Sequence, residues 1–222
     1  MSHFIERLRT KHKGDATDEA GLSLIELVVA MSIFTIVLSI YFSALISMSH
    51  TTVRAQDSVN ASDALRATFN VLDHQVRYAT SINSPGQGVS GAWYVEVEAT
   101  DLPEGQPPQC NQWRLDPATN VLSYRTWDED GTSLATAWRG VSWNVKSLSG
   151  GSPFTFVPAS GAILRQSLTV SLKVDSVSTA QVAKQETTFI ARNSSWKSTS
   201  NLDLNSDGVS DTPVCMAGMD RP

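Results

Sequence analysis

The chain has 222 residues, of which 41% are hydrophobic and 18% charged, and its formal net charge is -5. That length holds one domain of ordinary size plus an anchoring segment, and the acidic balance argues against a broad nucleic-acid surface. Two cysteines with no histidine cluster near them make a poor zinc site, and no compact set of acid, base and nucleophile is visible, so an enzyme is not expected.

The chain opens on a polar leader. Arg7, Arg9, Lys11 and Lys13 are balanced by Glu6, Asp15, Asp18 and Glu19, so residues 1–21 carry no net charge and the rest of the chain holds all of the -5. Its outer part, Met1 to Lys13, is basic, a positive-inside signal that places the N-terminus in the cytoplasm and everything after His50 outside. From Leu27 to Val53 there is no Lys, Arg, Asp or Glu. As a helix, Leu27 to Met48 would span roughly 33 Å at about 1.5 Å per residue, matching a bilayer core of about 30 Å. A secretory signal has a shorter apolar run followed by its cleavage site, whereas here the small residue, Gly21, precedes the run. The apolar helix is therefore expected to be retained and the leader removed. Glu26 sits just inside the helix, where an unpaired carboxylate costs about 2.5 to 3.5 kcal/mol on insertion scales. Cleavage after Gly21 would create an α-amino group on Leu22 able to pair with Glu26 of a neighbouring copy; the alternative is that Glu26 snorkels to the headgroups.

Gly21, Leu22, Ser23, Leu24, Ile25 and Glu26 resemble the processing site of type IV prepilins and type II secretion pseudopilins. The resemblance implies that a membrane-embedded prepilin peptidase cuts between Gly21 and Leu22 and methylates the new amine of Leu22. It further implies that Glu26 serves assembly with other pilin or pseudopilin subunits, driven by an ATPase motor on a platform protein. Leu22 replaces the commoner Phe and no proline interrupts the helix, which points to a minor subunit. Overall size and the segment Leu72 to Ser81 look most like the larger minor pseudopilins of the J type. The implied location is a single pass of the inner membrane and then an extracellular or periplasmic filament.

Neither Gly nor Pro occurs between Leu22 and Ser84, so one helix is expected over 22–82, with 22–48 its membrane or filament-core part. Leu65, Phe69, Leu72, Val76 and Ala79 recur at helical spacing and predict the stripe that faces the protein's own domain. From 83 to 200 the period changes to two. Strands are expected from Trp93 to Glu98, Gln112 to Leu115, Val121 to Trp127, Trp138 to Leu148, Phe154 to Val157, Ser167 to Val174 and Thr187 to Ala191. Asp116 to Asn120 reads as a hairpin connection. The expected class is α+β, an antiparallel sheet wrapped over the helix stripe as in pilin globular domains. Trp93, Trp113, Trp127 and Trp143 are expected in its core. Gly86, Gly88 and Gly91 match G-x-G-x-x-G but follow a helix and precede a strand, the reverse of the dinucleotide-binding order.

The tail, 201–222, carries two further signals. Cys110 and Cys215 both fall on the expected exterior and are a disulfide candidate tying the tail to the loop between the first two strands, or else two free thiols. Asp203, Asn205, Asp207, Gly208 and Asp211 spell D-x-N-x-D-G-x-x-D, with the backbone carbonyl of Val209 as a further oxygen ligand. The pattern resembles the calcium loops of thrombospondin type 3 repeats and dockerins, although Val214 stands where an EF-hand places its Glu; a plain acidic turn is the alternative. The leading reading is a minor pilin or pseudopilin. A type II secretion piston subunit and a membrane-anchored adhesin or receptor for an external ligand are the alternatives.

Overall fold

A computed structural model of the chain describes residues 23–130, 133–175, 182–205 and 210–222. The chain divides into two units, Met1–Thr51 and Thr52–Pro222. A single helix, α1 (Leu24–Arg77), runs through the boundary. Its continuity follows from composition, since no residue along it breaks the backbone ladder.

In the second unit, α1 is followed by β1 (Ser81–Ile82), β2 (Gly86–Gln87), β3 (Trp93–Ala99), β4 (Gln109–Asp116) and β5 (Val121–Asp128). Then come β6 (Arg139–Trp143), β7 (Val145–Ser147), β8 (Phe154–Val157), β9 (Ser167–Asp175) and β10 (Val182–Ile190). They form two sheets where one was expected. The first has the order β1-β3-β4-β5-β6 with β2 also on β3; the second has β10-β9-β7 with β8 also on β9. Every pairing is antiparallel. The class is thus α+β, a long helix with antiparallel sheets.

The switch between sheets occurs at one residue. The segment expected as a single strand from Trp138 to Leu148 is broken at Asn144, whose φ of 56° is left-handed, a region Asn enters more readily than most residues. Before it, Trp143 pairs with Val121 in the first sheet; after it, Val145 pairs with Val174 in the second. Trp143 is consequently 62% exposed, against expectation, because it ends an edge strand and lies over Gly140 instead of entering the core. The hairpin at Asp116 forms as read. Its carboxylate accepts from the Ala118 N–H and the Thr119 hydroxyl, both at 2.9 Å. Partial burial pushes the Asp116 pKa up, but these donors outweigh it and hold the group below the usual carboxylate range.

The expected helix stripe is the one that is buried. Leu65, Phe69, Leu72, Val76 and Ala79 pack with Val95, Val97 and Trp113 of the first sheet and Leu168, Val170 and Phe189 of the second. The rings of Phe69 and Phe189 lie 5.8 Å apart, and the Trp113 indole N–H donates to Gln75 Oε1 at 2.7 Å. The helix ends at Arg77, short of the expected residue 82. The reason is long-range. The Thr80 N–H donates to Glu98 O and the Asn83 N–H to Glu96 O, while the Ile82 N–H donates to Gln166 Oε1 at 2.9 Å. Each of these amides finds its partner away from the helix, and Ser81 and Ile82 pair with Glu98 and Val97 as β1.

Leu72 has no solvent exposure, so Leu72→Ala is expected to lower unfolding stability by about 2 to 5 kcal/mol in chemical denaturation. Exposed Trp143→Ala should change it by less than about 1 kcal/mol.

Candidate functional site

Two regions carry the features that bear on function. The first is the apolar half of α1. Gly21 and Leu22, the expected cleavage pair, lie outside the described residues, and Glu26 lies in the first helical turn. Among the described residues of its unit, nearly all of the large apolar side chains from Leu24 to Met48 are exposed. This helix is long and apolar enough to cross a membrane. Four of its hydroxyls are paired within the helix. Ser32 donates to Val29 O, Thr35 to Met31 O, Ser39 to Thr35 O and Ser43 to Ser39 O, all between 2.7 and 2.8 Å. Each hydroxyl hydrogen is thereby satisfied inside the helix, which lowers the cost of placing it in hydrocarbon.

The second region is the tail. Cys110 and Cys215 form a disulfide that closes a sequence separation of 105 residues. Cys110 lies within β4, not in the preceding loop as expected, and both cysteines are fully buried. Beyond the disulfide, Gly218 lies flat on Trp127: a Cβ there would stand 2.7 Å from the indole. Arg125 crosses above and donates to Gly218 O at 3.2 Å and to Asp220 O at 2.9 Å.

Asn83 docks the other side of the tail in the manner of a strand pair, accepting from the Val214 N–H at 2.9 Å and donating to Val214 O at 2.8 Å. The strongest contact is electrostatic. Glu96 has no solvent exposure, and Arg221 meets it through Nε at 3.0 Å and Nη2 at 2.5 Å. Gln112 adds a donor at 2.8 Å and Asn83 one at 3.3 Å.

The same contacts explain the glycine pattern. A Cβ on Gly88 would stand 2.6 Å from the main-chain oxygens of both Arg221 and Pro222, and one on Gly86 would strike the Arg221 guanidinium. Pro222 O in turn accepts from Ser90 Oγ at 2.5 Å and Tyr94 OH at 3.1 Å. G-x-G-x-x-G here cradles a peptide segment of the same chain. Glu96, Arg221 and Asn83 escaped the sequence reading. Glu96 alternates with Val95 and Val97 in a pattern that puts it toward solvent, and nothing local marks the arginine 125 residues later as its partner.

Of the proposed calcium ligands, Asp203, Asn205 and Asp211 are described, while Asp207 and Val209 lie outside the described residues. The Asp211 carboxylate accepts from the Leu204 N–H at 2.5 Å, and its own N–H donates to Leu202 O at 2.7 Å, so it already closes the turn. Cys110, Cys215 and Glu129 bring three potential ligand atoms within 4.8 Å of one another. The two sulfurs are joined to each other, leaving no thiolate to bind a metal. Glu98 lies opposite Cys110. Burial, and then the nearby Glu129 carboxylate, push its pKa up.

Residues 17–42 match the family model described as the prokaryotic N-terminal methylation motif. That stretch takes in the apolar start of α1, and with the α+β domain beyond, the chain carries the signature of the type IV pilin and pseudopilin family. Proteins of this kind are generally structural subunits, processed by a prepilin peptidase and assembled with other pilin subunits, and the apolar helix fits a membrane-anchored protein. No curated protein and no solved structure matches the chain.

Removing one partner of the tail clamp leaves a buried charge. Arg221→Ala is expected to cost about 3 to 5 kcal/mol in chemical denaturation, and Gly88→Ala to release the tail and raise its cleavage by added protease. For Glu98 the sign runs the other way. Because its folded pKa is raised, the native state holds the proton more tightly than the unfolded chain, so stability falls as pH rises through the carboxylate range. Glu98→Gln should therefore raise the melting temperature at pH 7, with the gain vanishing on acidification below the unfolded carboxylate pKa.

Proposed function

We propose that this chain is a minor pilin or pseudopilin subunit that assembles through its N-terminal helix into a type IV pilus or related filament. In this reading residues 1–21 are removed by a prepilin peptidase, Leu22 is N-methylated, and 22–48 passes from membrane to filament core. One observation carries it: the methylation motif at 17–42 takes in the start of a helix whose large apolar side chains from Leu24 to Met48 are nearly all exposed among the described residues of that unit.

Leaving lipid for a bundle of sister helices gains little hydrophobic energy, since lipid tails are already apolar. Close packing and polar pairing must supply the difference. Thr35, Ser39, Ser43 and Ser47 recur every fourth residue, a row of small side chains along which another helix can approach closely. Glu26 gives the specific element, by accepting the freed amine of a neighbour's Leu22. The N-terminus starts in the cytoplasm and the globular unit outside. A type II secretion piston uses the same anchor, and the identity of co-purified subunits separates the two machines.

Mass spectrometry of protein from wild-type cells should find the N-terminus at methylated Leu22. An N-terminus at Met1 would overturn the reading. Glu26→Ala should be processed yet fall at least about tenfold in filament incorporation, whereas equal incorporation would remove the pairing role.

For the tail, we propose that Asp203, Asn205, Asp207, the Val209 carbonyl and Asp211 hold a calcium ion at extracellular, millimolar concentration, bracing the loop before Cys215. Support comes from the alternation of oxygen-bearing side chains and the position of the loop just before the disulfide. Calcium at 2 mM should raise the melting temperature of the parent, and Asp207→Ala should abolish the shift; no shift in the parent removes the claim.

A further inference from the structure

The outer face of the second sheet carries an arrangement that folding alone disfavours. Lys146 on β7 is directly opposite Lys173 on β9, and Lys173 is directly opposite Lys184 on β10. Three ammonium groups thus share one row across three strands, and like charges facing each other across a ladder are destabilising. Asp175 pairs with Lys146 at 2.6 Å, and the acid of the adjacent row, Glu186, accepts from the Ser171 hydroxyl at 2.6 Å. Lys173 and Lys184 make no ion pair among the described residues.

One end of this row opens into a groove of about 310 Å³ at the seam between the two sheets. Trp93 and Leu115, from the first sheet, and Val145, from the second, supply its apolar wall. Lys146, Lys173, Ser147 and Asn120 supply polar groups around it. Gly150, at a left-handed φ of 82°, also lines it. The volume suits one sugar ring. An indole offers a flat apolar face, hydroxyl and amide groups suit ring hydroxyls, and Lys173, which makes no ion pair among the described residues, calls for a negative charge.

We propose that this seam binds a sugar unit bearing an anionic group, carboxylate or phosphate, with Trp93 against the ring and Lys173 on the anion. The ligand relieves the electrostatic cost of the lysine row, so the row serves binding at the expense of stability. The site goes beyond the filament role and does not depend on it: it belongs to the globular unit, and failure of processing or assembly would leave it intact.

The test is calorimetric titration of the full chain in non-ionic detergent with galacturonic acid, glucose 6-phosphate, galactose and inorganic phosphate. Binding of either anionic sugar, at least about tenfold tighter than galactose and inorganic phosphate, is the expected result, and which of the two binds identifies the anionic group. Lys173→Gln should weaken that binding about tenfold or more while leaving the melting temperature unchanged or raised, since it breaks up the like-charge row. Lys184→Gln, farther along the row, should weaken it less. Trp196→Ala, at an exposed indole outside the groove, should not alter it. Absence of binding by both anionic sugars, equal binding of galactose or inorganic phosphate, or full affinity in Lys173→Gln overturns the proposal.

Discussion

One helix carries an apolar stripe buried in the second unit and an apolar run left exposed among the described residues of the first, and the organisation of the protein follows from that difference. In the second unit the stripe from Leu65 to Val76 is taken up by two sheets. In the first unit nearly all of the large apolar side chains from Leu24 to Met48 are exposed among the described residues. Apolar surface on that scale in water is a standing demand for lipid or for other helices. The hydroxyls of Ser32, Thr35, Ser39 and Ser43 inside it donate back to carbonyls of the preceding turn, so these four donors are satisfied in either environment.

The globular unit meets a different constraint. It encloses the carboxylate of Glu96 completely, and an isolated buried charge is not tolerated. The solution is to bring the tail across β3 and β4 and aim Arg221 at it, with Gln112 and Asn83 filling the remaining lone pairs. The Cys110–Cys215 disulfide shortens the search for that contact, because it delivers the tail to β4 a few residues before the arginine. Covalent closure and buried ion pair therefore act on the same segment, and the glycines at 86 and 88 leave the space it occupies.

The two sheets also explain why the domain offers a groove at all. Had the strand at Trp138 to Leu148 continued straight, one sheet would have presented an unbroken face. The left-handed turn at Asn144 instead sends β6 and β7 into different sheets. The seam this creates has Trp93 and Leu115 on one side and the lysines of β7 and β9 on the other.

What was legible in the sequence was whatever depends on neighbours along the chain. The apolar run, the processing motif and the helix stripe Leu65, Phe69, Leu72, Val76 and Ala79 are periodic or contiguous signals, and the structure buries that stripe as read. Strands β3, β5, β8 and β9 fall within a residue or so of their period-two segments, because alternation records a half-buried face. Tertiary structure alone decided the helix end at Arg77, the division into two sheets, the exposure of Trp143 and the burial of Glu96. Each depends on a partner far away in sequence: β3 for residues 80–83, β9 for Val145, Arg221 for Glu96. A local pattern reports which face of a segment is apolar. It holds no information about which distant segment will arrive to cover the other face, and here a disulfide and one arginine made a charged, apparently outward residue part of the interior.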